Sequence, residues 1–292
     1  MVGRKRQKRK HGRTFTGGKL FLITVIAALA LIAGKWPFPG KTDPEYENNS
    51  GTAEDRSYVE PLFSHDNKTR EIILNRLAYT TSYNRETRNP NWVGWVLTSG
   101  HTDGEHVRKN HSFIEDTDVP RPRAVYSDIR EGECGYQRGH MCPAGDNKWS
   151  SRAQQESFLM TNICPQDGYL NQYDWKYLEE ACREWAKKYG KVYVVAGPVF
   201  RRKPYRTVGE HRVAVPDAFF KVIMVPDAAN PKAIGFLYEN VPGHHRMKHY
   251  ARSVDEIEGI VKMDFFRQLD DKIEERIESE CDFSQWKTTF DD

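Results

Sequence analysis

The 292-residue chain is poor in cysteine: it has five, and no two of them stand in a Cys-x-x-Cys arrangement. That lack argues against a zinc site built from Cys134, His140, Cys142 and Cys164, because such sites draw on closely spaced ligand pairs. An odd count also leaves at least one of Cys134, Cys142, Cys164, Cys182 and Cys281 free or paired between chains. A Cys142–Cys164 bridge stays open, since sequence gives no connectivity and an exported domain can oxidise its thiols. Internal repeats and low-complexity tracts are missing as well, which leaves an ordinary globular reading of one large domain or two small ones. Acidic residues are absent from residues 1–19, where Arg4, Lys5, Arg6, Lys8, Arg9, Lys10, Arg13 and Lys19 stand. The formal net charge of +3 therefore misleads: with that block set aside, the 41 acidic residues outnumber the basic ones. Any polyanion-binding surface must be a local patch.

What is present suffices for a core, with 38% hydrophobic and 12% aromatic residues. Leu20 to Gly34 is an uncharged, mostly apolar run that Trp36-Pro37-Phe38 extends toward the roughly 17–25 residues a spanning helix needs. Behind the basic block it reads as a signal anchor with residues 1–19 in the cytoplasm and everything after Pro37 exported. A cleaved signal peptide is the alternative, and a basic nucleic-acid-binding tail the third reading. Residues 39–71 lack a hydrophobic period and read as a linker, with residues 72–292 as the domain that carries function.

Within that domain Trp92 to Leu97, Lys191 to Pro198 and Ala233 to Tyr238 read as strands. Val213 to Val215 and Phe219 to Val225 read as a strand pair around a Pro-Asp turn, and Ala153 to Met160 as a short helix. Between Gln172 and Tyr189, Trp175, Leu178, Cys182, Trp185 and Ala186 recur at helical spacing, and Gly190 stops the helix. Ser253 and Glu256 form a capping-box pattern, and Asp270 to Ser279 reads as a charged terminal helix. Strands mixed with helices without regular alternation predict an α+β fold with a mixed, mostly antiparallel sheet.

The residues that could carry chemistry lie in three linked stretches: Tyr136-Gln137-Arg138-Gly139-His140-Met141, Thr161-Asn162-Ile163-Cys164-Pro165-Gln166, and Leu170-Asn171 with the helix that follows. His140, in a turn-rich stretch, is a natural general base near neutral pH, or simply a hydrogen-bonded loop histidine. Asn171 is either the N-cap of the helix or a hard-oxygen ligand for Mg²⁺, two roles that compete for one oxygen. Glu179 follows Asn171 by eight positions and precedes Arg183 by four. The two form a helix ion pair, or Glu179 serves the metal while Arg183 grips a phosphate. Arg108 alone reads as a surface cation. The block Arg201-Arg202-Lys203-Pro204-Tyr205-Arg206 is either a phosphate-backbone contact or an exposed loop.

Taken together these residues resemble the DNA/RNA non-specific endonuclease family of the ββα-metal superfamily, the endonuclease G-like and sugar-non-specific nucleases. Arg138-Gly139-His140, Asn162-x-x-Pro165-Gln166, Leu170-Asn171-x-x-x-Trp175, Glu179 and Arg183 follow the family signature in order, and Arg108, Phe113 and Asp116 fit its upstream element. The likeness covers roughly residues 75–270. It implies a ββα-metal active-site motif and a metal-dependent endonuclease that cuts DNA, RNA or both and leaves 5′-phosphates. It implies His140 as general base and Asn171 as ligand of Mg²⁺, with Mn²⁺ as a substitute. Glu179 would act on the metal through water, Arg108, Arg138 and Arg183 would contact or position phosphate, and Asn162 would shape the site. The expected partners are the nucleic acid and, through the N-terminal segment, a membrane, with the domain on the periplasmic or extracellular face. The chain departs from the signature at Gln137, where the family has Asp. A weakened nucleic-acid-binding module and a small-substrate phosphodiesterase are the rival readings.

Overall fold

The computed structural model describes residues 52–63, 71–106, 111–227 and 229–289. The expected spanning segment at 20–38 and the basic tail lie outside those residues. Among the described ones, no helix is long and apolar enough to cross a membrane.

In chain order the strands are β1 (Leu62–Phe63), β2 (Glu71–Asn75), β3 (Thr80–Asn84), β4 (Asn89–Thr98), β5 (Gln137–His140), β6 (Ile163–Gln166) and β7 (Lys191–Val199). They continue as β8 (Thr207–Val208), β9 (Val213–Ala214), β10 (Ala218–Val225), β11 (Lys232–Glu239), β12 (Ala251–Arg252) and β13 (Met263–Asp264). The helices are α1 (Ala53–Ser57), α2 (Ser151–Glu156), α3 (Gly168–Gln172), α4 (Asp174–Tyr189), α5 (Val254–Val261) and α6 (Asp271–Ser279).

The body is a seven-stranded sheet in the order β12-β11-β10-β7-β4-β3-β2, antiparallel throughout. Its central strands are apolar on both faces, and period-two alternation sends successive side chains into different cores. Val93, Trp95, Leu97, Val192, Val194, Phe219 and Ile223 pack on the stripe of α4, made of Trp175, Leu178, Cys182 and Trp185. Trp92, Val96, Tyr193, Val195, Phe220 and Val222 pack on the other side with Ile257 of α5 and Ile277 of α6. The expected α+β class with an antiparallel sheet is thus the observed one.

Two readings of local structure change. Val213–Ala214 and Ala218–Val225 are not a hairpin: β9 pairs with β8, and β10 lies between β7 and β11. Residues 53–63 are no linker. Lys191 and Tyr193 both donate to Asp55, and Val59 crosses the sheet where a Cβ on Gly94 would sit 1.9 Å from its carbonyl oxygen. All five cysteines are free thiols, and burial pushes those of Cys142 and Cys164 well above the ordinary thiol range.

Under α4, Lys221 of β10 is fully buried and its ammonium lies 4.2 Å from the ring centre of Trp175. The indole face supplies the negative potential that a carboxylate would otherwise provide.

On the opposite face, the carboxyls of Asp255, Glu258 and Glu278 crowd together between α5 and α6. Burial, then the neighbouring carboxylates, raise Glu278 to about 9, and burial raises Glu258 to about 7. The folded state therefore holds protons that the unfolded chain has released above its ordinary carboxyl pKa. Stability from this cluster is complete below that value and is lost as pH climbs toward 9. Glu278→Gln should flatten the decline in unfolding free energy between pH 5 and 9, followed by urea titration. An unchanged slope would show that the cluster is not its source.

Candidate active-site cleft

The chemistry-bearing residues gather where a small two-stranded ribbon meets the start of α4. β5 and β6 run antiparallel, with Gly139 opposite Cys164 and His140 opposite Ile163. The Arg-Gly-His stretch is thus a strand and not a turn. Its glycine is dictated by the partner strand: a Cβ on Gly139 would lie 2.1 Å from Oε1 of Gln166, which is fully buried. The two motifs occur together because one supplies the space that the other fills.

His140 sits at the end of β5, 6% exposed, with its ring 5.4 Å from Phe113 and edge-on to Phe158 at 5.1 Å. Its carbonyl accepts a hydrogen bond from Trp175 Nε1 at 3.1 Å, which ties the strand to the first turn of α4. Asn162 is fully buried behind it. Its Nδ2 donates to the carbonyls of Cys142 and Ser157 (both 2.8 Å), and its Oδ1 accepts from Cys142 N (2.9 Å). With every polar atom used, Asn162 braces the chain after His140 and offers nothing to a ligand.

The helix expected from Gln172 is broken. α3 ends at Gln172, Tyr173 leaves helical geometry (φ −121°, ψ −84°), and α4 begins at Asp174. Asp167 caps α3, accepting from the amides of Tyr169 (2.9 Å) and Leu170 (3.1 Å). Asn171 is therefore not an N-cap, and the competition for its side-chain oxygen disappears. Its Nδ2 donates instead to Gln137 Oε1 at 2.9 Å. Gln137 in turn donates to Glu131 Oε1 at 2.5 Å.

His140, Asn171, Glu179, Arg183, Gln137 and Glu131 all line one cleft of about 740 Å³, together with the basic side chains of His106, Lys148 and Lys176. Arg183 is held there by Asp146, whose Oδ1 lies 2.9 Å from Nη1 and whose Oδ2 accepts from Trp95 Nε1 at 3.0 Å. Burial works against the guanidinium charge, but Asp146 and Glu179 outweigh it and raise the pKa above its ordinary value. Gly145 makes the room, since a Cβ there would lie 2.8 Å from Arg183 Nη1.

Other expected residues lie elsewhere. Arg138 donates to the carbonyls of Ile129 (2.6 Å) and Tyr126 (3.2 Å) and stacks on Phe113 at 4.7 Å, so it stiffens the wall behind His140. Asp116 receives Arg76 (2.6 Å) and Thr161 Oγ1 (2.5 Å), which locks the Phe113 segment in place. Arg108 is outside the described residues. In the 201–206 block Arg201 pairs with Glu239, Lys203 with Glu86, and Arg206 donates to the Tyr136 hydroxyl. These cations are committed to protein partners away from the cleft. Sequence reasoning missed Asp146 and Glu131. Asp146 ends a short 3-10 turn and Glu131 sits in a turn, neither with any periodicity, and neither lies in a matched motif.

Comparisons with known proteins identify the family. Residues 59–272 match the family model for DNA/RNA non-specific endonucleases. The chain is 32% identical over 272 residues to the mitochondrial nuclease EXOG of Xenopus laevis, covering 88% of this chain and 74% of that protein. It is 35% identical over 220 residues to nuclease C1 of Cunninghamella echinulata var. echinulata, covering 70% of this chain and 86% of that protein. EndoG, solved in an inhibitory complex with EndoGI, superposes with a TM-score of 0.66 at 27% identity, over 75% of this chain and 92% of that one. The chain belongs to the DNA/RNA non-specific endonuclease family and is a hydrolase of the nuclease class.

Proposed function

We propose that the chain is a divalent-cation-dependent endonuclease that hydrolyses phosphodiester bonds of DNA and RNA without sequence preference and leaves 5′-phosphates. The observation that carries this reading is the convergence of His140, Asn171, Glu179 and Arg183 on one cleft.

The donors suit a hard cation: an amide oxygen and a carboxylate, with no thiol among them. Asn171, whose amide nitrogen is already committed to Gln137, would hold the ion through its oxygen, and Glu179 lines the same cleft. When bound, Mg²⁺, or Mn²⁺ in its place, would supply positive charge against the charge growing on the phosphate oxygens. His140 takes the proton from the attacking water, with its ring orientation held by Phe113 and Phe158. Arg183, fixed by Asp146, meets the scissile phosphate through its remaining donors. Lys148 and Lys176 draw in the backbone of a long polymer irrespective of sequence. These cations favour a polymer over a small phosphodiester.

The proposal extends to placement: the basic block and the apolar run at 20–38 would anchor the domain on the outer face of a membrane. The full chain should nick supercoiled plasmid and degrade RNA with Mg²⁺, stop in EDTA, and leave ends that ligase joins without phosphorylation. It should sediment with membranes. Cutting that persists in EDTA, or products that need a kinase before ligation, would overturn the chemistry; a chain found only in the soluble fraction would overturn the placement.

A further inference from the structure

Gln137 and Asn171 are consecutive links of one chain of hydrogen bonds, and that chain has a direction. Asn171 Nδ2 donates to Gln137 Oε1 at 2.9 Å, and Gln137 Nε2 donates to Glu131 Oε1 at 2.5 Å. A terminal amide is nearly symmetric in shape, and its last torsion is broad and roughly two-fold. Packing therefore does little to decide which end of each amide faces which neighbour. Hydrogen-bond chemistry does decide it. An ionised carboxylate only accepts, so Gln137 must present its nitrogen to Glu131. Its oxygen then faces Asn171, which must answer with its own nitrogen. The Asn171 oxygen is left for the cleft.

We infer that Glu131 is a positioning residue that sets the polarity of two amides in series and so delivers the Asn171 oxygen, and not its nitrogen, to the cation. The inference rests on the proposed role of Asn171 as the metal ligand. Without a carboxylate at 131, the Gln137 amide is free to turn. Asn171 would then follow, pointing an NH₂ group into the cleft, and an NH₂ group cannot ligate a cation. The loop between Glu131 and β5 takes two left-handed backbone positions, Gly132 (φ +84°) and Gly135 (φ +78°). Gly168 leaves room on the other side, where a Cβ would lie 3.3 Å from Gln137 Nε2. An aspartate at 137 could accept from Asn171 unaided, and the carboxylate at 131 would then be superfluous or repulsive.

A double-mutant cycle tests this. Mg²⁺ and Mn²⁺ binding to the full chain is measured by titration calorimetry, beside cleavage rates and thermal melts, for native, Glu131→Gln, Gln137→Asp and the double variant. Glu131→Gln should weaken cation binding by roughly 10–100-fold, the usual cost of losing a group that orients a metal ligand. The melt should not move, because Glu131 is exposed. In the Gln137→Asp background the same change should cost nothing or improve binding. Equal losses in both backgrounds would mean that Glu131 acts by its charge alone, and no loss in the native background would mean that it does not act; either overturns the inference. Asn171→Ala separates the two levels. If it loses cation binding while Glu131→Gln does not, only the polarity relay falls. If Asn171→Ala binds the cation normally, the ligand assignment falls and the relay with it.

Discussion

Replacing His140 with alanine should lower the Mg²⁺-dependent cleavage rate by about 10²–10⁴-fold, the usual contribution of a positioned general base. Cation affinity and DNA affinity should stay close to native. The reason is spatial. His140 ends β5, its ring is walled by Phe113 and Phe158, and its backbone is anchored by Trp175 and by the chain that Asn162 braces. The Trp175 bond is to the backbone of His140 and not to its ring, so removing the imidazole deletes the proposed base and leaves that anchor in place. Asn171 and Glu179, the proposed cation-binding residues, are carried by α3 and α4, so they keep their places. Single-turnover rates on plasmid, with binding measured separately by anisotropy, check this. Residual activity above a tenth of native would show that another group takes the proton.

Asp146→Ala should cost about 3–5 kcal/mol of unfolding free energy, the range for breaking a buried ion pair by removing one partner. Asp146 is almost fully buried and serves two donors at once, Arg183 at 2.9 Å and Trp95 Nε1 at 3.0 Å. Alanine leaves a partly buried guanidinium at the cleft wall without its main counter-charge and a buried indole N–H without an acceptor. Asp146→Asn keeps one acceptor oxygen and should cost less. Both variants should lose cleavage as well, because Arg183 is no longer held over the cleft. Urea unfolding of the three proteins gives the ranking. A loss for Asp146→Ala under ~1 kcal/mol, the value of an exposed pair, would mean that the Asp146–Arg183 contact is solvated.

These two residues mark the boundary of what could be read in advance. His140 stands in a stretch whose residue types already name a chemistry. Asp146 ends a single 3-10 turn, Ala144–Asp146, and nothing in its neighbourhood announces that an arginine 37 positions later will need it. Glu131 is similar. Its sequence context is a turn, and its importance comes from a glutamine six positions on and an asparagine on a different element.

The regular elements divide in the same way. β4, β7 and β11 were legible because long runs of Val, Ile and aromatic residues have few other ways to be buried. α4 was legible because its stripe repeats every three or four residues. The break at Tyr173 was not, since the stripe continues through Trp175 and the cap that matters, Asp167, belongs to the short helix before it. β5 was mistaken for a turn because four mostly polar residues give no alternation, and its partner β6 comes more than twenty positions later.

The sequence by itself determined the family and the sheet-and-helix character of the body and named candidate reactive side chains, because residue types, spacings and hydrophobic periods are local properties. Only the tertiary structure decided which side chains face the cleft and which brace it. Asn162 and Arg138 turned out to be supports, Asn171 was released from capping, and Asp146 and Glu131 joined the site. Those roles depend on which donor meets which acceptor across the fold, and a buried polar atom's partner is fixed by three-dimensional proximity rather than by its position in the chain.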